Sequence, residues 1–140
     1  MNRDPKALYH RLILQHSKTP HNYTADAEAD EVLEAYNPLC GDRFKVYIQL
    51  KDNRLQQISF DGYGCAISKA STSILAKKLV GLTLEEAEAV CTTFKRVVEE
   101  GDTQAEEEFA AFARARDFPG RDQCALLSWE EMDDFLAQQL

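Results

Sequence analysis

The chain has 140 residues, a formal net charge of -8, 44% hydrophobic and 29% charged residues. That length predicts one domain, spanning residues 1–140, with a hydrophobic core, and the composition is that of a globular protein. An acidic chain without a Lys/Arg-rich run lacks the footprint that nucleic acid or an anionic membrane requires, so neither is expected as a partner.

No apolar stretch approaches the roughly 20 residues that span a bilayer. Met1 to Pro5 leads into polar residues rather than a signal-peptide core, so a cytoplasmic location is expected. In a reducing compartment, the four cysteines read as metal ligands, reactive thiols or buried residues before they read as disulfides.

In chain order, Asp4-Pro5 opens a predicted helix over residues 5–17, with Ala7, Leu8, Leu12 and Ile13 at helical spacing. Thr19 to Asn22 ends it, and a polar connection runs on to Glu31. Val32 to Tyr36 predicts a strand. Phe44, Val46, Ile48 and Leu50 then alternate with polar residues, as in an antiparallel strand with one buried face. Asp52-Asn53 predicts a hairpin turn, and Leu55 to Gly62 the returning strand.

After Gly64 the pattern is helical to the end. Ala66 to Val80 is rich in small residues, and Gly81 is placed to stop it in a left-handed conformation. Thr83 with Glu86, and Thr103 with Glu106, both match capping boxes. Asp117 to Gly120 predicts a turn. Leu126, Leu127, Trp129, Met132 and Leu136 form the apolar stripe of a last helix. The order predicts an α+β fold: a small three-stranded antiparallel sheet with helices packed on one face.

Three of the four cysteines stand at predicted element ends. Cys40 lies in the turn Asn37-Pro38-Leu39-Cys40-Gly41-Asp42, where Pro38 and Gly41 shape the backbone and Asp42 brings a carboxylate close. Cys65 follows Gly62-Tyr63-Gly64 at a strand-to-helix junction, where a helix dipole favours thiolate. The flanking glycines allow close approach by a metal or another chain. Cys124 follows Pro119-Gly120 near the start of the last helix, a similar electrostatic setting. Three thiols and a carboxylate can make a four-coordinate site for zinc or an iron–sulfur cluster. A hard carboxylate among soft thiolates makes such a site exchange-prone, which suits assembly or transfer. The spacing leaves the alternative of buried or unrelated thiols open.

The motifs considered together carry more. Asn37 to Asp42, Gly62 to Ser68 with Ala70 to Ser73, and Phe118 to Trp129 resemble, in order, the three cysteine blocks of the IscU/SufU family of iron–sulfur assembly proteins, which includes the N-terminal domain of NifU. Gln123 stands where the IscU type has a histidine, and no Leu-Pro-Pro-Val-Lys segment occurs. Thr103 to Arg116 and Arg121 fit the insertion and the arginine of the SufU branch. The resemblance implies that Cys40, Asp42, Cys65 and Cys124 bind zinc. It implies that Cys40 accepts sulfur from a SufS-type cysteine desulfurase, with Arg121 steadying the complex, and that a downstream scaffold or apo-protein receives the sulfur. The chain would then be a transfer partner rather than a stand-alone enzyme. Two other readings stand beside it: a scaffold holding a [2Fe–2S] cluster on the same residues, and a zinc-stabilised interaction domain.

The remaining candidates have plainer roles. Cys91 shares helical spacing with Ala87, Val90, Phe94 and Val98 and reads as core. His10, His16 and His21 read as surface or packing residues, with His10 or His21 able to approach the site if the first helix folds over it. Trp129 and Phe118 read as core. The acidic run from Glu99 to Glu108 reads as a solvated face. Ser68, Ser71, Thr72 and Ser73 read as close-packing and hydrogen-bonding residues near Cys65, since no nucleophile-elbow motif surrounds them.

Overall fold

Phe44, Val46 and Ile48 are fully buried while Arg43 and Lys45, which alternate with them, are exposed. A one-residue slip would turn that whole apolar set to water, so the pattern fixes the register. In the computed structural model, which describes residues 10–140, β2 (Asp42–Lys51) is the centre of a three-stranded antiparallel sheet. It lies between β1 (Glu31–Asn37) and β3 (Arg54–Tyr63). Asp52 and Asn53 turn the β2–β3 hairpin with φ of 52° and 61°. Positive φ at both central residues matches the right-handed twist of the flanking strands.

Among the described residues there are also five helices: α1 (Arg11–Lys18), α2 (Ala66–Leu79), α3 (Leu84–Glu100), the single turn α4 (Glu107–Ala110) and α5 (Arg121–Gln139), with a 3₁₀ turn at Ala113–Asp117. Helix α2 packs on β3, α5 on β1 and β2, α1 on α2, and α3 on α5. The predicted α+β arrangement is therefore the observed one. Small side chains let α2 lie deep among its neighbours. The Ser71 hydroxyl donates to the Ala125 carbonyl, the Trp129 indole donates to the Ser71 carbonyl at 3.2 Å, and Thr72 and Ser128 hydroxyls meet at 2.7 Å. Trp129 is fully buried and stacks on Phe94 with centroids 4.2 Å apart. Cys91 is fully buried in the same core, as expected.

Several boundaries differ from the sequence reading. The helix start at Asp4-Pro5 lies outside the described residues. Within them α1 begins at Arg11, where His10 Nδ1 accepts the Leu12 N–H. The capping box at Thr83 forms in full, but the one at Thr103 does not. Asp102 follows the left-handed Gly101, accepts the Gln104 N–H at 2.9 Å and pairs with Arg96 at 3.0 Å. That turn holds Thr103 away from a capping position, and α4 starts later with no side-chain cap.

The acidic run is not simply a solvated face. Glu107 pairs with Arg11 at 2.7 Å, Glu106 with Lys78 at 2.6 Å, and Glu108 with both Lys77 and Lys78. Glu108 also meets Nε2 of the buried His16 at 3.0 Å, while His16 Nδ1 meets the Ser73 hydroxyl at 2.7 Å. These contacts tie α1, α2 and α4 together. The irregular segment after α1 lies along β3, with the Asn22 side chain donating to the Ile58 carbonyl and Tyr23 bridging to Phe60. No helix among the described residues is long and apolar enough to cross a membrane.

Candidate metal centre

One end of the sheet gathers the β1–β2 turn, the β3–α2 junction and the start of α5. Asn37 and Asp42 face each other as the last pair of the β1–β2 ladder. Between them, the Asn37 carbonyl accepts the Gly41 N–H at 2.8 Å, and its side-chain Oδ1 accepts the Leu39 N–H at 3.1 Å. Gly41 has a φ of 73°, a conformation few other residues adopt without strain. The turn therefore lifts Cys40 to an exposed tip and buries Asp42 completely at the base.

Asp42 is only half satisfied by protein. Its Oδ1 accepts the Cys65 N–H at 2.9 Å, while Oδ2 is buried without a hydrogen-bond partner among the described residues. An orphaned carboxylate oxygen is costly in a protein interior, and a cation at that point would remove the cost. Gly64 makes the arrangement possible. A Cβ there would stand 2.7 Å from Asp42 Oδ1, 2.6 Å from Ser68 Oγ and 2.9 Å from the Phe44 ring. The glycine thus permits a close approach to the chain's own carboxylate and hydroxyl.

Cys65 caps α2, and its sulfur accepts the Ser68 N–H at 3.4 Å. Cys124, at the fourth position of α5, is buried, and its sulfur lies 3.5 Å from that of Cys40. Ligand atoms of Cys40, Asp42 and Cys124 all lie within 4.8 Å of one another. Cys65 falls outside that cluster and adjoins it through its N–H, which donates to Asp42 Oδ1. All four cysteines are free thiols.

The two inner thiols titrate oppositely. Cys65 is lowered to about 5, chiefly by the hydrogen bond from Cys124 and, against the cost of burial, by the Ser68 N–H and hydroxyl. Cys124 is raised by that same pairing, by burial, and by Cys40 and Asp42 nearby. The N–H of Ser68 in the first turn of α2 contributes to the lowering at Cys65, while at Cys124 the neighbouring groups act in the opposite direction. The positive end of the α5 dipole does not outweigh the neighbouring acidic groups of Cys65, Cys40 and Asp42.

Arg121 opens α5, with Nη1 4.0 Å from the Cys124 sulfur. No histidine joins the clustered ligand atoms among the described residues. His10 caps α1, His16 is held by Ser73 and Glu108, and the backbone of His21 donates to Ser73. Asn37 is the side chain whose part at the site the sequence reading did not foresee. It is buried, and its Nδ2 faces the Cys124 sulfur at 4.0 Å. Its position just before Pro38, where an Asx turn is common, was the available signal.

The donor set suits zinc, which takes sulfur and oxygen ligands tetrahedrally, and the unpartnered Asp42 oxygen beside two thiols supplies the observation for that fit. The family model described as "NifU-like N terminal domain" matches residues 8–125. The chain belongs to this family, the IscU/SufU type.

Relatives in this IscU/SufU family agree over most of the chain. It is 30% identical over 130 residues to the "Iron-sulfur cluster assembly scaffold protein IscU" of Streptococcus pyogenes serotype M1, covering 91% of this chain and 81% of that one. It is 29% identical over 141 residues to the "Zinc-dependent sulfurtransferase SufU" of Bacillus subtilis, covering 99% and 95%. Among solved structures, a putative iron–sulfur cluster assembly scaffold protein for the SUF system from Fervidobacterium islandicum superposes with a TM-score of 0.85 at 26% identity. That match covers 95% of this chain and 99% of the other. A NifU-like N-terminal protein from Brucella abortus gives a TM-score of 0.82 at 26% identity, covering 96% and 95%.

Proposed function

We propose that this chain works in cytoplasmic iron–sulfur cluster assembly as a zinc-bound sulfur acceptor. It would take persulfide sulfur from a SufS-type cysteine desulfurase onto Cys40 and pass it to a downstream scaffold or apo-protein. The observation that carries the reading is the contrast between Cys40, exposed at the tip of its turn, and Asp42 and Cys124, buried beneath it. Of the clustered ligands, Cys40 alone is within reach of a partner's active site.

Cys40, Asp42, Cys65 and Cys124 would hold the metal, Cys65 completing the set that the other three begin. Zinc, when bound, keeps the thiols deprotonated at neutral pH and withholds Cys40 until a partner docks. The residues then have separate tasks. The Cys40 thiolate attacks the outer sulfur of the desulfurase persulfide. A new S–S bond forms at Cys40, the enzyme's own S–S bond breaks, and the enzyme cysteine departs as thiolate, so no net oxidation occurs. Asp42 and Cys124 stay fixed in the core while this happens. Arg121 lies at the rim, where a guanidinium steadies an approaching persulfide anion.

Two further features favour the SufU-type chemistry over cluster building. Gln123 stands in place of the histidine next to the third cysteine, and the zinc-dependent relative is similar over nearly the full length. Metal analysis of protein purified without added metal tests the assignment. Zinc near one equivalent supports it; iron with stoichiometric sulfide would replace it with the scaffold reading.

A further inference from the structure

The sulfurs of the site differ in who donates to them. Cys65 receives the Ser68 N–H at 3.4 Å. Cys124 is faced at 4.0 Å by Asn37 Nδ2 and by Arg121 Nη1. Among the described residues, Cys40 receives no N–H donor, and its one sulfur contact is Cys124 at 3.5 Å. Donors held against a metal-bound sulfur fix its orientation and govern how tightly the metal is kept. The asymmetry therefore separates two retained sulfurs from one that is free to leave.

Asn37 stands where those two roles meet. Its Oδ1 and its backbone carbonyl shape the turn that carries Cys40, through Leu39 and Gly41. Its Nδ2 reaches across to α5 and the Cys124 sulfur. It is 6% exposed, so its amide is held by packing rather than left to sample water. One side chain thus joins the mobile ligand's turn to the fixed ligand's helix.

We infer that Asn37 is a positioning residue that clamps Cys124 to the base of the Cys40 turn, so that the metal is retained while Cys40 is released to take sulfur. This rests on the sulfur-acceptor reading for its purpose, but its physical content is metal retention, which can be measured alone. Asn37 acts through Cys124 and touches no sulfur being transferred.

Two substitutions separate the amide's two ends. Asn37→Asp keeps an acceptor for the Leu39 N–H and removes the donor facing Cys124. Asn37→Ser also keeps a short acceptor and adds no charge. Zinc-loaded parent and variants are mixed with a chromophoric zinc chelator, and the release rate is followed. Thiol alkylation mapped by mass spectrometry and melting of the metal-free proteins run alongside. Both variants should release zinc about 10-fold faster or more, the size usual for loss of a group that supports a metal ligand. Cys124 should become more readily alkylated, and metal-free melting should change little. Release at the parental rate in Asn37→Ser overturns the inference, even if Asn37→Asp is fast, because added charge would then be the cause. A parental release rate with lowered melting of the metal-free protein also overturns it and leaves Asn37 a turn-former only. If the variants release zinc fast but the parent takes no sulfur from a desulfurase, the clamp stands and the sulfur-acceptor reading fails.

Discussion

Asp42 Oδ1 accepts the backbone N–H of Cys65 at 2.9 Å, so the carboxylate at the base of one cysteine's turn also fixes the start of the helix that the second cysteine caps. Its other oxygen is buried and has no hydrogen-bond partner among the described residues. One oxygen builds the site, and under the proposed function the other would ligate the cation. Asp42→Asn preserves shape and an acceptor for Cys65 while removing the anionic donor. Zinc affinity, measured by competition with a chelator, should fall by at least about 10-fold, while the metal-free fold persists.

Gly64 is required by space rather than by backbone conformation. In Gly64→Ala the new methyl meets Asp42, Ser68 and Phe44 inside 3 Å. Relieving that crowding shifts the carboxylate or the α2 start, and overpacking of this kind costs about 1–3 kcal/mol. Urea unfolding of the metal-free protein should show that loss, and zinc binding should weaken with it.

Thiol reactivity should be ordered by burial. Cys40 is exposed, whereas Cys91 is fully buried in the core and, chiefly through that burial, pushed up to about 12. In native metal-free protein at pH 8, an alkylating reagent should label Cys40 and leave Cys91 unmodified. Cys91 should react only after denaturant unfolds the chain, as peptide mapping by mass will show.

Glu108 predicts an acid sensitivity remote from the metal. Burial works to raise its pKa, but Lys77, Lys78 and His16 hold it down at about 2. A carboxyl depressed in the folded state stabilises the fold above its ordinary value near 4.5 and loses that contribution as pH falls towards 2. Metal-free protein should therefore lose urea stability between about pH 5 and pH 2. Glu108→Gln should be less stable at pH 7, by about 1–3 kcal/mol for hydrogen bonds to charged groups, and its stability should fall less over the acid range.

What could be read from sequence was mostly local. The alternation in β2, the Asp52-Asn53 turn and the Thr83–Glu86 capping box each need only a few neighbouring residues, and each formed as expected. The convergence of Cys40, Asp42 and Cys124 was legible because the motifs resembled a family, not because spacing revealed it. The contacts that were missed join distant parts of the chain. His16 meets residues 57 and 92 positions away, and Asn37 meets Cys124 across 87. The failed capping box at Thr103 has a different cause. Asp102 competes for the same stretch of backbone, accepting the Gln104 N–H and pairing with Arg96.

Sulfur on Cys40 is the most direct test of the account. Zinc-loaded protein is incubated with a SufS-type cysteine desulfurase and free cysteine, then digested under conditions that preserve persulfides, and each cysteine peptide is weighed. Faster sulfide release by the desulfurase and one added sulfur on the Cys40 peptide are expected, both lost in Cys40→Ala. An unstimulated desulfurase with no added sulfur on Cys40, or a Cys40→Ala protein that behaves like the parent, would contradict it.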